Sequence, residues 1–336
     1  MASIIGLVIV FVFSLFKGNS IMDSMGISGF IGMFVQMILT IIQNIFEYRP
    51  ESVMFIAKNS SFSLKIMQGV ILKSSTLNGV KLSTELIENG EISVSSQINE
   101  KIMKNIKKYD SFLIRIDDDN MEFHNVLDNL YKLDKKFLLL DKEISDSNKE
   151  ITGTSPACVM SDFQMGGKLL GSKISGIYSP GMNIVVSEVV NKHESGIRIS
   201  SLTSELLKNN IEYEKVELYS YDKNEFLQKI LKKGIIEKCD ILICPNDDIA
   251  YDLMRKLRIE NEHYKNFKDI IFVGYDGLRD GKNYKIDSYG FKYITIDTCP
   301  EIQGEEAMDL IIKSESKDLI GKKLKIMPRL IHNLDN

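Results

Sequence analysis

From residue 52 onward, short apolar runs alternate with amphipathic segments, and this alternation limits what the chain can fold into more than any other feature. The apolar runs fall at 53–57, 81–87, 112–116, 137–141, 182–186, 213–219, 241–244 and 270–274, with helix-like segments between them. Strands that follow one another through helices must lie parallel, with right-handed crossovers and helices on both faces of the sheet. The class is therefore α/β and doubly wound. A polar stretch at 142–158 interrupts the series after four strand-helix units, and a second series follows. Two such sheets joined by several chain crossings leave a cleft between two lobes, where ligands meet the carboxyl ends of the strands.

The first fifty residues read differently. Residues 3–16 are an apolar run of 14, about the length of a signal-peptide core, without a basic leader or a clean small-residue cleavage site. Residues 26–46 are 21 uncharged residues in succession, which at about 1.5 Å per helical residue match a hydrocarbon core of roughly 30 Å. A membrane anchor of one or two helices is expected over residues 1–49. Gly29, Gly32, Gln36, Thr40 and Gln43 fall within an arc of about 80° on the second helix, a small polar face suited to packing against another membrane helix. Lys17, between the two runs, favours a cytoplasmic turn and a main domain outside the cell. The first cysteine is Cys158, so no lipid-modified cysteine serves as the anchor.

Charge and chemistry exclude several functions. A net charge of -4 leaves no basic surplus for phosphate neutralisation, so no nucleic-acid partner is expected. Cys158, Cys239, Cys244 and Cys299 lack metal-ligand spacing, so no metal is expected, and no phosphate-binding loop or other cofactor motif appears. His124, His193, His263 and His332 are dispersed without a neighbouring nucleophile or paired carboxylate. No catalytic residue is assigned, and the chain is not expected to be an enzyme.

Seven segments carry a resemblance when taken in order. They are NSSFSLKIMQG (59–69), LLLDK (138–142), VMSDFQMGGKLLG (159–171), GIRISSLTSELL (196–207), ILICPNDDIAYDLM (241–254), IIFVGYDG (270–277) and YITIDTCPEIQGEEAMDLI (293–311). Over roughly 52–331 the sequence resembles the type 1 periplasmic binding proteins, whose fold is shared with the effector domain of lactose-repressor-like regulators. That resemblance implies two Rossmann-like lobes joined by a three-crossover hinge. The sugar-binding domain would cover 50–331, with a first lobe of about 50–158 and 298–318 and a second of about 159–297 and 319–331.

The resemblance also implies the ligand contacts. Phe62 would stack on the apolar face of a sugar ring, with Tyr221 as a second aromatic wall. Asp141 would accept hydroxyl protons and Lys142 would donate, although the family's arginine at that place is a lysine here, without the planar fork. Arg198 would fork onto adjacent hydroxyls. Asn246 would donate and accept, with Asp247 and Asp248 capping the helix that follows. Asp276 would take further hydroxyls, and Thr298 stands where sugar binders often carry glutamine. Asp162 reads as a helix cap, and Gly166 with Gly167 as close-packing positions.

The ligand implied is a sugar, with a pentose, xylose or ribose, as the leading candidate. The expected role is a membrane-anchored sugar sensor on the extracellular face that passes closure to a sensor histidine kinase. The alternative is the solute-binding subunit of a sugar ABC transporter, with a permease as partner. A repressor would need a helix-turn-helix at the N-terminus, where the apolar runs stand instead.

Overall fold

In a computed structural model of the chain, the described residues are Gln36 and 50–334, apart from 89, 91, 117–120, 144–154, 191–192, 233, 260–266, 268 and 278–290. The expected anchor, Gln36 excepted, lies outside the described residues, as does most of the polar stretch at 142–158. Among the described residues, no helix is long and apolar enough to cross a membrane. The chain divides into two compact units, Met1–Pro50 and Glu51–Asn336, and the second carries the α/β architecture.

That unit holds two six-stranded sheets. The first is built from β1 (Glu51–Lys58), β2 (Val80–Ile87), β3 (Ser111–Arg115), β4 (Lys136–Leu140), β5 (Ala157–Ser161) and β11 (Lys323–Ile326). Their order is β11, β5, β4, β3, β1, β2, and all neighbours are parallel. The second is built from β6 (Ile184–Val189), β7 (Glu214–Leu218), β8 (Ile241–Ile243), β9 (Ile271–Val273), β10 (Lys292–Asp297) and β12 (Arg329–Asn333). Its order is β12, β10, β9, β8, β6, β7, with only β12 antiparallel to its neighbour among the described strands. Both sheets thus reverse direction at their first strand, and such a switch point opens a crevice beyond the carboxyl ends of the strands.

The local reasons are those expected of parallel sheets. Central strands are apolar on both faces because helices cover both sides; Val53 to Ala57 and Ala157 to Ser161 are buried throughout. In the first lobe the covering helices are α1 (Ser61–Thr76), α2 (Val94–Asn105), α3 (Met121–Lys132), α8 (Pro300–Lys313) and the short α9 (Ser316–Leu319). In the second they are α4 (Phe163–Ile177), α5 (His193–Lys208), α6 (Lys223–Lys232) and α7 (Asp247–Ile259). The Asp162 carboxylate caps α4 by accepting from the Met165 amide at 3.1 Å, as its position in the sequence suggests.

The chain passes between the sheets after β5, after β10 and after β11. This corrects the lobe boundaries expected from the sequence, which placed 159–161 and 319–326 in the second lobe. β5 runs to Ser161 inside the first sheet, and β11 pairs with it there, Lys323 opposite Cys158. An edge strand whose two lysines are exposed, with Leu324 half-buried and Ile326 buried, gives no strong apolar run to assign it.

Packing inside the second lobe bears directly on the cleft. A side chain at Gly167 in α4 would place its Cβ 2.3 Å from the Arg198 carbonyl oxygen, so only glycine lets α4 and α5 approach this closely. The position of α5, and with it the Arg198 side chain, depends on that approach.

Candidate ligand-binding cleft

Two guanidinium–carboxylate pairs define the cleft, one from each lobe. In the first lobe Asp141 follows directly on β4, and its neighbour Arg115 ends β3. The Arg115 Nη2 lies 3.4 Å from the Asp141 Oδ2, its Nη1 donates to the Ser63 hydroxyl at 3.1 Å, and its guanidinium stands 5.0 Å over the Phe62 ring. Phe62 is in the first turn of α1, which begins just beyond β1. Lys142 follows Asp141 and is half-buried.

In the second lobe Arg198 projects from α5. Its Nη2 donates to the Tyr221 hydroxyl at 2.9 Å, and its Nη1 lies 3.4 Å from the Asp276 Oδ1. Its guanidinium also stands over the Tyr275 ring at 4.4 Å and the Phe163 ring at 5.9 Å. Asp276 follows β9 as Asp141 follows β4, each strand fourth along its sheet from the β2 or β7 edge. Both carboxylates sit on left-handed backbone, φ 61° at Asp141 and 104° at Asp276. Such conformations are strained for residues other than glycine and concentrate at working sites.

No protein-family model and no curated protein sequence matches the chain. The likeness is structural. A periplasmic ribose ABC transporter protein from Conexibacter woesei superposes with a TM-score of 0.68 at 16% identity, covering 85% of this chain and 93% of that one. An ABC transporter periplasmic solute-binding protein from Actinobacillus succinogenes, solved with bound D-allose, gives 0.68 at 15% identity over 84% of this chain and 97% of its own. A LacI family transcriptional regulator from Weissella paramesenteroides, with bound glucose, gives 0.62 at 14% identity over 84% and 97%. The chain has the fold of the type 1 periplasmic binding proteins.

Within this periplasmic-binding-protein fold the remaining predicted residues take varied places. Tyr221 joins the Arg198 cluster, as does Asp276. Thr298 is buried, and its hydroxyl donates to the Asp276 carbonyl at 3.3 Å, so it holds the backbone that carries this carboxylate. Asn246 does what the sequence assigned to its neighbours: its Oδ1 caps α7 by accepting from the Ile249 amide at 2.9 Å. Asp247 instead is fully buried, its Oδ1 accepting from the Tyr293 hydroxyl and, at 2.6 Å, from the Thr295 hydroxyl. The capping expected of Asp247 is corrected accordingly, because burial against β10 turns its side chain inward.

Arg115, Ser63, Phe163 and Tyr275 were missed in the sequence. A signal existed for Arg115, since a lone charge ending the buried run FLIR marks the carboxyl edge of a sheet, where ligands meet such folds.

The electrostatics tie the two lobes together. Burial pushes the Asp141 carboxyl up to about 7, with Arg115 opposing and the charge of Asp276 reinforcing. Burial likewise pushes Asp276 up to about 7, opposed by Arg198 and by Arg115 of the other lobe. Burial works against the Arg198 charge too, yet Tyr221, Asp276, Tyr275 and Asp141 hold its proton more firmly than usual. The first lobe also reaches the second directly beside Asp276, the Lys65 ammonium in α1 donating to the Gly277 carbonyl at 3.2 Å.

A pH dependence follows. With an ordinary value of 3.8 in the unfolded chain and about 7 in the folded one, Asp141 and Asp276 bind more protons when folded. Their contribution to stability is complete below about pH 4 and is lost as the pH rises through about 7. Side-chain exposures of 18% and 24% leave solvent access that makes the slope gentler. The melting temperature of the ligand-free chain should fall between pH 5 and 8 more steeply than that of the Asp141→Asn, Asp276→Asn double variant. Equal slopes would refute the assignment.

Proposed function

We propose that the chain is a sugar-binding protein that closes its two lobes around a polyhydroxylated ring, a pentose such as xylose or ribose. The observation that carries this reading is the pairing of Arg115 with Asp141 beyond one sheet and of Arg198 with Asp276 beyond the other. Carboxylates accept from hydroxyls and guanidinium groups donate to them, and charge-assisted bonds give a neutral polyol the directional grip it needs. The Tyr221 ring, exposed beside Arg198, offers a flat apolar face to ring C–H groups, whereas Phe62, the wall expected in the first lobe, is buried in that lobe's core under the Arg115 guanidinium. A ligand touching both lobes favours the closed form because it binds that form better.

Solved proteins of this fold support the ligand class. They include a ribose transporter protein and proteins bound to D-allose, myo-inositol and D-fucose, all polyhydroxylated rings. In our reading residues 1–49 anchor the chain in the cell membrane, with the binding domain on the extracellular face and closure passed to a membrane partner such as a sensor histidine kinase. The ABC-transporter role of several of these neighbours favours a second reading, a solute-binding subunit that delivers sugar to a permease.

Calorimetric titration of the full chain with xylose, ribose, glucose, allose and myo-inositol tests the ligand class. Saturable heat with at least one sugar is expected, and no heat with any would refute sugar binding. The protein recovered with the chain from solubilised membranes separates the two roles: a kinase supports the sensor, a permease the transporter subunit.

A further inference from the structure

The side chain of Lys65 runs from one lobe to the other. It projects from α1, its ammonium lying 3.7 Å from the Glu301 Oε1 in the first turn of α8 and donating to the Gly277 carbonyl of the second lobe at 3.2 Å. We propose that Lys65 is a brace between the lobes, a conformational device that holds the cleft narrow and sets how readily the chain opens. The inference stands on the arrangement of the lobes and does not require the sugar-binding reading.

Three observations carry the proposal. First, both ends of the brace are fixed in their own lobes. A Cβ at Gly69 would run into the Glu301 carbonyl, so α1 and α8 meet backbone to backbone, and Lys65 and Glu301 move as one body. Gly277 has a left-handed φ of 62°, and a Cβ there would run into Asp297. Asp276, just before it, bridges to Asp297, and its amide donates to the Ile296 carbonyl at 2.9 Å. The Gly277 carbonyl is therefore set by the second sheet.

Second, the brace stands beside the second of the three crossovers. Asp297 ends β10 and Pro300 opens α8, so Glu301 and Gly277 flank the stretch that joins the lobes. That stretch is itself tied, the Asp297 Oδ1 accepting from the Cys299 amide at 2.8 Å. Domain rotation is absorbed by a few residues at the ends of elements. A rotation there that widens the cleft carries Gly277 away from α1 and breaks the bond.

Third, the Lys65 side chain is 19% exposed, so its bond is shielded from water better than an open surface pair. A hydrogen bond from a charged donor shifts a two-state balance by roughly tenfold. A ligand that touches both lobes favours the same narrow form, so the brace lowers the cost of closing around it.

Double electron–electron resonance on the full chain, with no sugar added, tests the brace. Spin labels are attached at Ile92→Cys and Asn224→Cys, exposed positions that follow β2 and β7, the outermost strands of the two sheets. The four native cysteines are buried. Lys65→Met is expected to raise the ratio of long to short label distances at least fivefold over the labelled parent. Lys65→Gln, too short to span the gap, is expected to act in the same direction and decides the matter if the methionine variant does not fold. Lys317→Met, whose ammonium pairs with Glu315 inside the first lobe at 2.9 Å, is expected to leave the ratio within twofold of the parent. A ratio within twofold of the parent in a folded Lys65 variant, or an equal shift in Lys317→Met, overturns the brace. Neither result bears on the sugar reading, which fails only if the calorimetric titrations show no heat.

Discussion

Arg198→Ala should weaken sugar binding by a hundredfold or more in a calorimetric titration of the full chain. The guanidinium is 8% exposed, donates to Tyr221, lies beside Asp276 and stacks on Tyr275, so its removal takes away a donor and strands a buried carboxylate. Truncating one member of a buried, hydrogen-bonded charge pair costs about 3 kcal/mol at a binding site, roughly a hundredfold in affinity. Arg198→Lys should recover part of the loss, since it returns the charge without the fork. The folded population of each variant can be followed by near-ultraviolet circular dichroism of the tyrosines, the chain having no tryptophan. An affinity within threefold of wild type in a folded Arg198→Ala chain would remove Arg198 from the site.

The second large effect is on stability. Asp247→Ala should lower the unfolding free energy by about 3 kcal/mol, because it leaves the Tyr293 and Thr295 hydroxyls buried without their acceptor. For a domain of this size that corresponds to a fall in melting temperature of roughly 6–12 °C. Asp247→Asn keeps an acceptor and the side-chain volume, and should lose distinctly less. The same carboxylate helps to raise the pKa of Asp276, so the alanine variant should also bring that carboxyl closer to its ordinary value. Thermal unfolding at neutral pH decides the stability claim, and a melting temperature within 2 °C of wild type would show that the buried bonds contribute little.

The alternation of apolar runs and amphipathic segments sufficed to place most of the strands. Runs such as 53–57 and 137–140 are apolar because helices cover both faces of a parallel sheet, a local consequence of the overall architecture. The edges were harder to place. β11 is short and alternates, and what assigns it to the first sheet is its pairing with β5, more than 150 residues earlier in the chain. In the site, Asp141, Arg198 and Asp276 were named through the resemblance alone, each standing in a segment similar to the family's, and not from the pattern of apolar runs. Asn246 and Asp247 were not separable in sequence: NDD offers three consecutive side chains able to cap a helix. The choice is made by Tyr293 and Thr295, on a strand more than 40 residues further along. Arg115 could be placed at a sheet's carboxyl edge from the run FLIR, but its partner Asp141 could not, since the pairing of β3 with β4 is what brings the two together.

The last two strands close the two sheets one after the other. β11 completes one sheet and β12 the other, with Met327 and Pro328 alone between them. The first sheet therefore waits for residue 326 and the second for residue 333, so the two are completed seven residues apart as the chain is made. A chain cut short before residue 323 lacks the last strand of both sheets, and a single proteolytic cut elsewhere cannot release one half intact from the other.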